Sequence, residues 1–146
     1  MLEEVIFLDF DGVLHPKMTG NFELLPNFIK ILDEFSKALV VISSNWKDEI
    51  SNLEVLTAIF GSKYVDRVIG KTDTLVYGNR QDEIYSFVRK HHIKNYIAID
   101  DDCRGVLFDR NCKYLFKTDY YKGLTENKRL ELKEFMLNRG FLCTVD

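Results

Sequence analysis

The chain has 146 residues, of which 46% are apolar and 29% charged, and its net charge is −3. A chain of this size and composition is typical of one globular domain, which we expect to span residues 1–146, and not of a disordered protein. A net charge of −3 argues against a general nucleic-acid binder, because such proteins are strongly basic. Residues 103–146 nevertheless carry 9 basic and 6 acidic side chains, which leaves room for a local basic patch.

Targeting and redox signals are weak. No apolar run approaches the length of a membrane span, so we expect no membrane partner. The acidic start Met1–Glu4 leads straight into the first predicted strand and does not resemble a signal peptide. Cys103, Cys112 and Cys143 are odd in number and lack metal-type spacing, which favours reduced thiols in a cytoplasmic protein.

The first predicted strand ends in a pair of aspartates. The apolar run 5–8 does not alternate, which is typical of a strand buried on both faces of a parallel sheet. Asp9 and Asp11 follow and, at positions i and i+2, point the same way, while Gly12 lets the backbone turn sharply beside a ligand. Two carboxylates this close raise each other's pKa unless a cation, a phosphoryl group with its metal or a shared proton lies between them. The pair therefore predicts a chemical site.

A polar stretch over residues 15–23 is predicted to form a loop or small hairpin, followed by a helix over about 26–37. The next apolar run, 38–42, predicts a second buried strand that ends in Ser43, Ser44 and Asn45. Small polar side chains at such a strand end are where α/β sheets bind ligands. The alternative is that they only cap the next helix, predicted over 47–60.

Residues 64–70 are predicted to pair at the edge of the sheet. A helix over about 80–92 is predicted to follow Asn79 as its N-cap, with Asp82 three residues on, close to the capping-box pattern. Arg80 lies in the first turn, where its charge would add to the helix N-terminus in holding an anion. The alternative is an exposed residue at a helix start.

A third buried strand, 95–99, runs into Asp100, Asp101 and Asp102. Three successive acids at a strand end are costly without a cation, and Mg²⁺ prefers oxygen ligands of this kind. A further short strand at 115–116 and a final helix, capped by Thr125 and stopped by Gly140, complete the predicted α/β order.

These motifs, in this order, resemble those of the haloacid dehalogenase (HAD) superfamily of phosphohydrolases. The segment 9–14 matches its first motif, Ser43 its second, and Asp100 with Asp101 its fourth. The third motif is a Lys or Arg upstream of the fourth; we favour Arg80 over Lys71, although the usual Lys-Pro pair is absent. Gly123-Leu124-Thr125 before the last helix also has counterparts in similar members.

The resemblance implies a doubly wound, Rossmann-like parallel sheet and a mechanism. Asp9 would be the nucleophile that forms an aspartyl-phosphate, and Asp11 the general acid and base. Mg²⁺ would be held by Asp9, the main-chain carbonyl of Asp11, Asp100 and Asp101. Ser43, with Arg80 or Lys71, would orient and neutralise the phosphoryl group.

The short motif spacings leave no room for a large cap domain, and capless relatives reach bulky substrates. Closely similar domains occur in RNA-repair proteins, so a polynucleotide end is one expected substrate. A small phosphoester, a nucleotide or a non-catalytic binding role are the alternatives, and the oligomeric state stays open. The candidate substrate contacts are Gly12, Ser44, Asn45, His15 and Trp46. His15 would lie in a flap over the site, although we favour an exposed loop histidine, and for Trp46 we favour packing over base stacking.

Overall fold

The computed structural model describes residues 2–50 and 52–145, which form five strands and four α-helices. The strands are β1 (Leu2–Leu8), β2 (Leu39–Ile42), β3 (Val68–Lys71), β4 (Ile93–Asp100) and β5 (Leu115–Lys117). The helices are α1 (Leu25–Glu34), α2 (Leu53–Phe60), α3 (Arg80–His91) and α4 (Glu126–Asn138).

All neighbouring strands of the sheet run parallel, in the order β3-β2-β1-β4-β5. Val5 pairs with Leu39 of β2 on one side and Tyr96 of β4 on the other, so β1 is central. The predicted doubly wound parallel α/β fold is thereby confirmed, as is the edge position of β3. In such sheets the carboxyl ends of the strands meet at one edge, where ligands bind.

The two faces of the sheet bury separate apolar clusters because side chains alternate along each strand. Ile6 and Leu8 of β1 pack with apolar residues of α1, α2 and α4. Val5 and Phe7 face the other way and pack with Ile84 of α3. Helices on both faces explain why the strands lack polar alternation.

The helix predicted over 47–60 is wrong in its first half. A 3-10 turn, Asn45–Asp48, follows β2, and α2 begins only at Leu53. The side chains of Ser44 and Asn52 each accept a hydrogen bond from a backbone N–H two or three residues on. These local bonds compete with a continuous helix and give each short segment its own start.

Other predicted bounds hold more closely. The capping box of Asn79 and Asp82 is present, and α3 ends one residue earlier than predicted. Helix α1 ends at Glu34, before the predicted residue 37. Between the described strands only loops, short 3-10 turns and at most one α-helix are inserted, so this part of the chain carries no cap domain. None of the described helices combines the length and apolar character needed to cross a membrane.

Candidate active site

The first predicted motif lies where β1 ends. The Asp9 N–H donates to the carbonyl of Ile99 at 3.0 Å, which extends the β1–β4 ladder by one residue and fixes the Asp9 backbone. Its carboxylate is buried, and Oδ1 accepts the Phe10 N–H at 2.9 Å. Asp11, two residues on, keeps 18% of its side chain exposed. One aspartate is therefore sheltered and the other faces solvent.

Strand β4 delivers two further carboxylates to the same edge. Oxygen atoms of Asp9, Asp100 and Asp101 lie within 4.8 Å of one another, and all three residues are buried. Burial raises the pKa of Asp9 well above its ordinary value, and the Asp100 carboxylate raises it further. Burial likewise raises the pKa of Asp100. The charged forms are thus poorly compensated by the protein alone.

Arg80 is the cation that reaches this cluster. Its Nη1 lies 2.8 Å from Asp100 Oδ2 and 3.3 Å from Asp9 Oδ1, and its Nη2 donates to Asn45 Oδ1 at 3.0 Å. Burial lowers the pKa of the guanidinium, but the Asp9 and Asp100 charges outweigh burial and raise it. The alternative of an exposed Arg80 is wrong, because the side chain is buried.

Lys71, the other third-motif candidate, lies at the edge strand β3. Its Nζ donates to the Lys47 carbonyl at 3.0 Å, and its side chain does not line the cleft above Asp9. Lys47 itself, which the sequence analysis gave no role, is buried with its Nζ 3.2 Å from Glu83 Oε1 of α3. Lys47 thus anchors the first turn of the helix that carries Arg80.

The residues after β2 differ in whether their polar side chains have hydrogen-bond partners. The Ser43 hydroxyl is buried and has no hydrogen-bond partner among the described residues. A buried hydroxyl without a hydrogen-bond partner destabilises the fold, and such a group is free to donate to a bound ligand. Ser44 instead accepts the Trp46 N–H at 3.2 Å, so the capping alternative accounts for it. Asn45 lines the cleft while holding Arg80.

Gly12 makes the sharp backbone turn that its position after the aspartate pair predicted. Its φ of 72° favours glycine, and an added Cβ would lie 3.0 Å from Cβ and Cγ of Asp101. The Gly12 carbonyl accepts the Thr118 hydroxyl at 2.6 Å, which ties the end of β5 to the turn. Any side chain at position 12 would therefore push against a candidate metal ligand.

His15 and Trp46 lie against Asp11. His15 Nε2 is 2.7 Å, and the Trp46 indole nitrogen 2.9 Å, from the same oxygen, Asp11 Oδ1. His15 is 0% exposed, so the interpretation as an exposed loop histidine is wrong. Its ring packs edge-on against Phe22 with centroids 5.0 Å apart, and Phe22 packs likewise against Trp46. This aromatic packing, which no local sequence pattern indicates, buries His15 although most of the residues that follow it are exposed.

Asp102 shapes one wall of the site. Its buried carboxylate accepts the backbone N–H groups of Val106, Leu107 and Phe108 at 3.0 to 3.3 Å. The Leu107 carbonyl in turn accepts the Gln81 N–H at 3.1 Å. Asp102 therefore folds the loop after β4 and ties it to the start of α3.

A cleft of about 460 Å³ opens above Asp9 and Asp11. Several of its lining residues, which come from three loops, were not among the predicted site residues. They are Met18, Cys103, Arg104, Val106, Leu107 and Tyr120. Met18 is 72% and Val106 64% exposed, so the acidic floor is bordered by an apolar, solvent-facing rim.

The buried acidic cluster fits a divalent cation. Carboxylate oxygens from Asp9, Asp100 and Asp101 are the hard ligands that Mg²⁺ takes. A cation among them would offset the buried negative charge, and burial raises the pKa of Asp9 and of Asp100. Arg80 lies beside Asp9, the Ser43 hydroxyl follows β2, and Asp11 is a second, partly exposed carboxylate after β1. This combination suits transfer of a phosphoryl group.

Comparison with known proteins agrees with the geometry. A sequence model of the family described as "HAD domain in Swiss Army Knife RNA repair proteins" matches residues 5–128. Neither the curated proteins nor the solved structures compared with the chain gave a match. The matched segment includes every strand end described above and most of the chain. The protein therefore belongs to the family of HAD domains in Swiss Army Knife RNA repair proteins.

Proposed function

We propose that this HAD domain is a Mg²⁺-dependent phosphohydrolase that acts on a phosphomonoester through an aspartyl-phosphate. The family supports phosphohydrolase-type chemistry in general. The observation that carries the finer proposal is the arrangement at the strand ends. Asp9 lies 3.3 Å from Arg80 within a buried acidic cluster, and Asp11 lies beside it at the open cleft. A module that only binds phosphate has no need of this second, acid–base carboxylate.

Asp9, Asp100 and Asp101 are the side chains that would hold the metal, and the resemblance adds the Asp11 main-chain carbonyl. Bound Mg²⁺ would offset negative charge on the phosphoryl oxygens. Arg80 contributes a fixed positive charge to the same group, and Ser43 a hydroxyl donor. Lys71, tied to the Lys47 carbonyl, has no part in this proposal.

The chain's own residues carry out the nucleophilic attack and the proton transfers. An Asp9 oxygen attacks phosphorus, and the ester P–O bond breaks with its electron pair on the leaving oxygen. Asp11 gives that oxygen a proton. Asp11 then takes a proton from water, whose oxygen attacks phosphorus and frees phosphate and Asp9. Each group is restored at the end of the cycle.

The shape of the site supports a bulky substrate such as a polynucleotide end. The cleft is uncapped, and its exposed rim combines Met18, Val106 and Tyr120 with the cationic Arg104. Apolar and aromatic surfaces beside cations suit the bases and phosphates of a single strand. Three free cysteines agree with action in a reducing compartment such as the cytoplasm.

An oligonucleotide with a terminal phosphate is expected to give a higher kcat/KM than the matching mononucleotide, because contacts beyond the scissile group supply binding energy. The preference should shrink as salt rises, since phosphate contacts release counterions. Arg104→Glu should lower kcat/KM for the oligonucleotide roughly tenfold while leaving kcat for p-nitrophenyl phosphate unchanged. Steady-state assays of both substrates measure this.

Arg110→Glu is the matched control, because Arg110 is exposed in the same segment and does not line the cleft. Equal losses of kcat/KM from both arginine variants would mean that the overall positive charge matters and not a contact at the cleft. A mononucleotide or sugar phosphate turned over better than any oligonucleotide would point instead to a small-molecule phosphatase.

Magnesium is expected to raise the melting temperature of the wild type and to do so much less for Asp100→Asn. At a hundredfold excess over Kd, a ligand that binds only the folded state stabilises it by about 2.7 kcal/mol. Without Mg²⁺, the variant should melt no lower than the wild type. Burial raises the pKa of Asp100, which means that its charged form is unfavourable in the folded protein, and the substitution removes that charge. Thermal melts with and without Mg²⁺ test both points. Asp66→Asn, at an exposed aspartate, should keep the full magnesium shift.

A further inference from the structure

We infer that His15 and Trp46 are positioning residues that aim the proton of Asp11 at the leaving oxygen; the inference rests on the proposed function. Both nitrogen atoms meet one carboxylate oxygen, Oδ1, at 2.7 and 2.9 Å. Neither residue lines the cleft, whereas Asp11 does. The two side chains therefore act on a substrate through Asp11 and not by touching it.

The donor count decides which oxygen carries the proton. An indole nitrogen can only donate, so Oδ1 accepts from Trp46. We assign the proton of His15 to Nε2, which gives Oδ1 a second donor. An oxygen that already accepts two hydrogen bonds is the carbonyl oxygen of a protonated carboxyl. The acidic proton then lies on Oδ2, the oxygen that remains for the cleft.

The two donors come from different parts of the fold and contact Asp11 on the side away from the cleft. His15 is fully buried in the turn after β1, and Trp46 belongs to the 3-10 turn after β2. Phe22 packs against both rings, with centroids 5.0 and 5.5 Å away, and fixes their orientation. Asp11 thus keeps one rotamer with Oδ2 outward, which matters because general acid catalysis depends on the alignment of the proton.

Leaving groups differ in how much they need that proton. An alkoxide is a poor leaving group and requires protonation as the P–O bond breaks, whereas p-nitrophenolate leaves without it. Loss of an aligned acid therefore slows alkyl phosphates far more than p-nitrophenyl phosphate. A residue with a merely structural role slows both substrates alike, and a substrate-binding residue raises KM.

The test compares Trp46→Phe with the wild type on glycerol 2-phosphate and p-nitrophenyl phosphate. Phenylalanine keeps the aromatic packing and removes only the donor. We expect kcat for the alkyl ester to fall about tenfold, kcat for the aryl ester to change less than about twofold, and neither KM to rise. His15→Leu should behave similarly, and His15→Gln, whose amide can donate from the position of Nε2, should recover part of the loss.

Phe60→Leu is the matched control, since Phe60 packs on Phe10 in the core below the site and the change leaves Phe22 and both donors in place. Its losses should be equal for the two substrates. A Trp46→Phe variant that slows both substrates equally, or that raises KM at constant kcat, overturns the inference.

An NMR measurement that needs no turnover tests the inference independently of the proposed function. Trp46 is the only tryptophan, so the protein has a single indole N–H resonance. In Asp11→Ala, that resonance should move upfield and exchange faster with water, because the indole N–H loses its acceptor. An unchanged indole resonance overturns the positioning role. A wild type that hydrolyses neither ester overturns the proposed function, while this resonance still tests the contact.

Discussion

Replacement of Asp9 by asparagine is expected to lower kcat at least about a thousandfold with every phosphomonoester, because an amide oxygen is a poor nucleophile at phosphorus. The change is nearly isosteric, so the backbone bond to Ile99 and the packing of β1 should survive. It also removes a carboxylate whose pKa burial and Asp100 have raised. The metal-free variant should therefore melt no lower than the wild type.

Steady-state assays with p-nitrophenyl phosphate and thermal melts measure the two effects of Asp9→Asn. Asp66→Asn at the exposed control position should retain wild-type turnover. Substantial activity in Asp9→Asn would rule out Asp9 as the nucleophile. Inactivity combined with a large fall in melting temperature would instead give Asp9 a structural role.

Replacement of Arg80 by methionine is expected to damage both activity and stability. It leaves Asp9 and Asp100 buried without their cation, and removing one partner of a buried ion pair costs about 3–5 kcal/mol. Turnover should fall on the order of 10²- to 10³-fold, since a fixed donor at the transferring phosphoryl group is lost. Urea unfolding and kcat measurements test the two losses separately.

Arg80→Lys separates charge from geometry. It keeps a cation near Asp100 but cannot also hold Asn45 through a second nitrogen, so stability should recover more than kcat. Arg110→Met, at an exposed arginine, controls for the loss of a positive charge. A folded Arg80→Met protein with wild-type kcat would exclude Arg80 from the reaction.

The elements that carry the site were predictable from the sequence because each motif ends a buried parallel strand. Once 5–8, 38–42 and 95–99 are recognised as strands of one sheet, their carboxyl ends must meet. The meeting of Asp9 with Asp100 and Asp101 follows from that rule. The capping box at Asn79 placed Arg80 in the first turn of α3, but only the structure separates it from Lys71.

Features built by distant residues were not predictable. Residues 15–23 are polar and interrupted by glycine and proline, as an exposed loop would be, yet packing by Phe22 and Trp46 buries His15. The break after residue 48 was hidden because apolar residues continue at helical spacing through a segment where Ser44 and Asn52 cap two separate turns. The rim of the cleft joins Met18, Val106 and Tyr120 from three loops.

The most direct test of the account is to trap the phosphorylated enzyme. Wild-type protein is mixed with Mg²⁺ and a phosphorylated oligonucleotide, quenched with acid within the first turnover, and treated with borohydride, which converts a phosphorylated aspartate to homoserine. Peptide mass spectrometry should find homoserine at position 9, and none in Asp9→Asn. Hydrolysis without any modified aspartate, or with homoserine at position 11, 100 or 101 instead, would contradict an aspartyl-phosphate at Asp9.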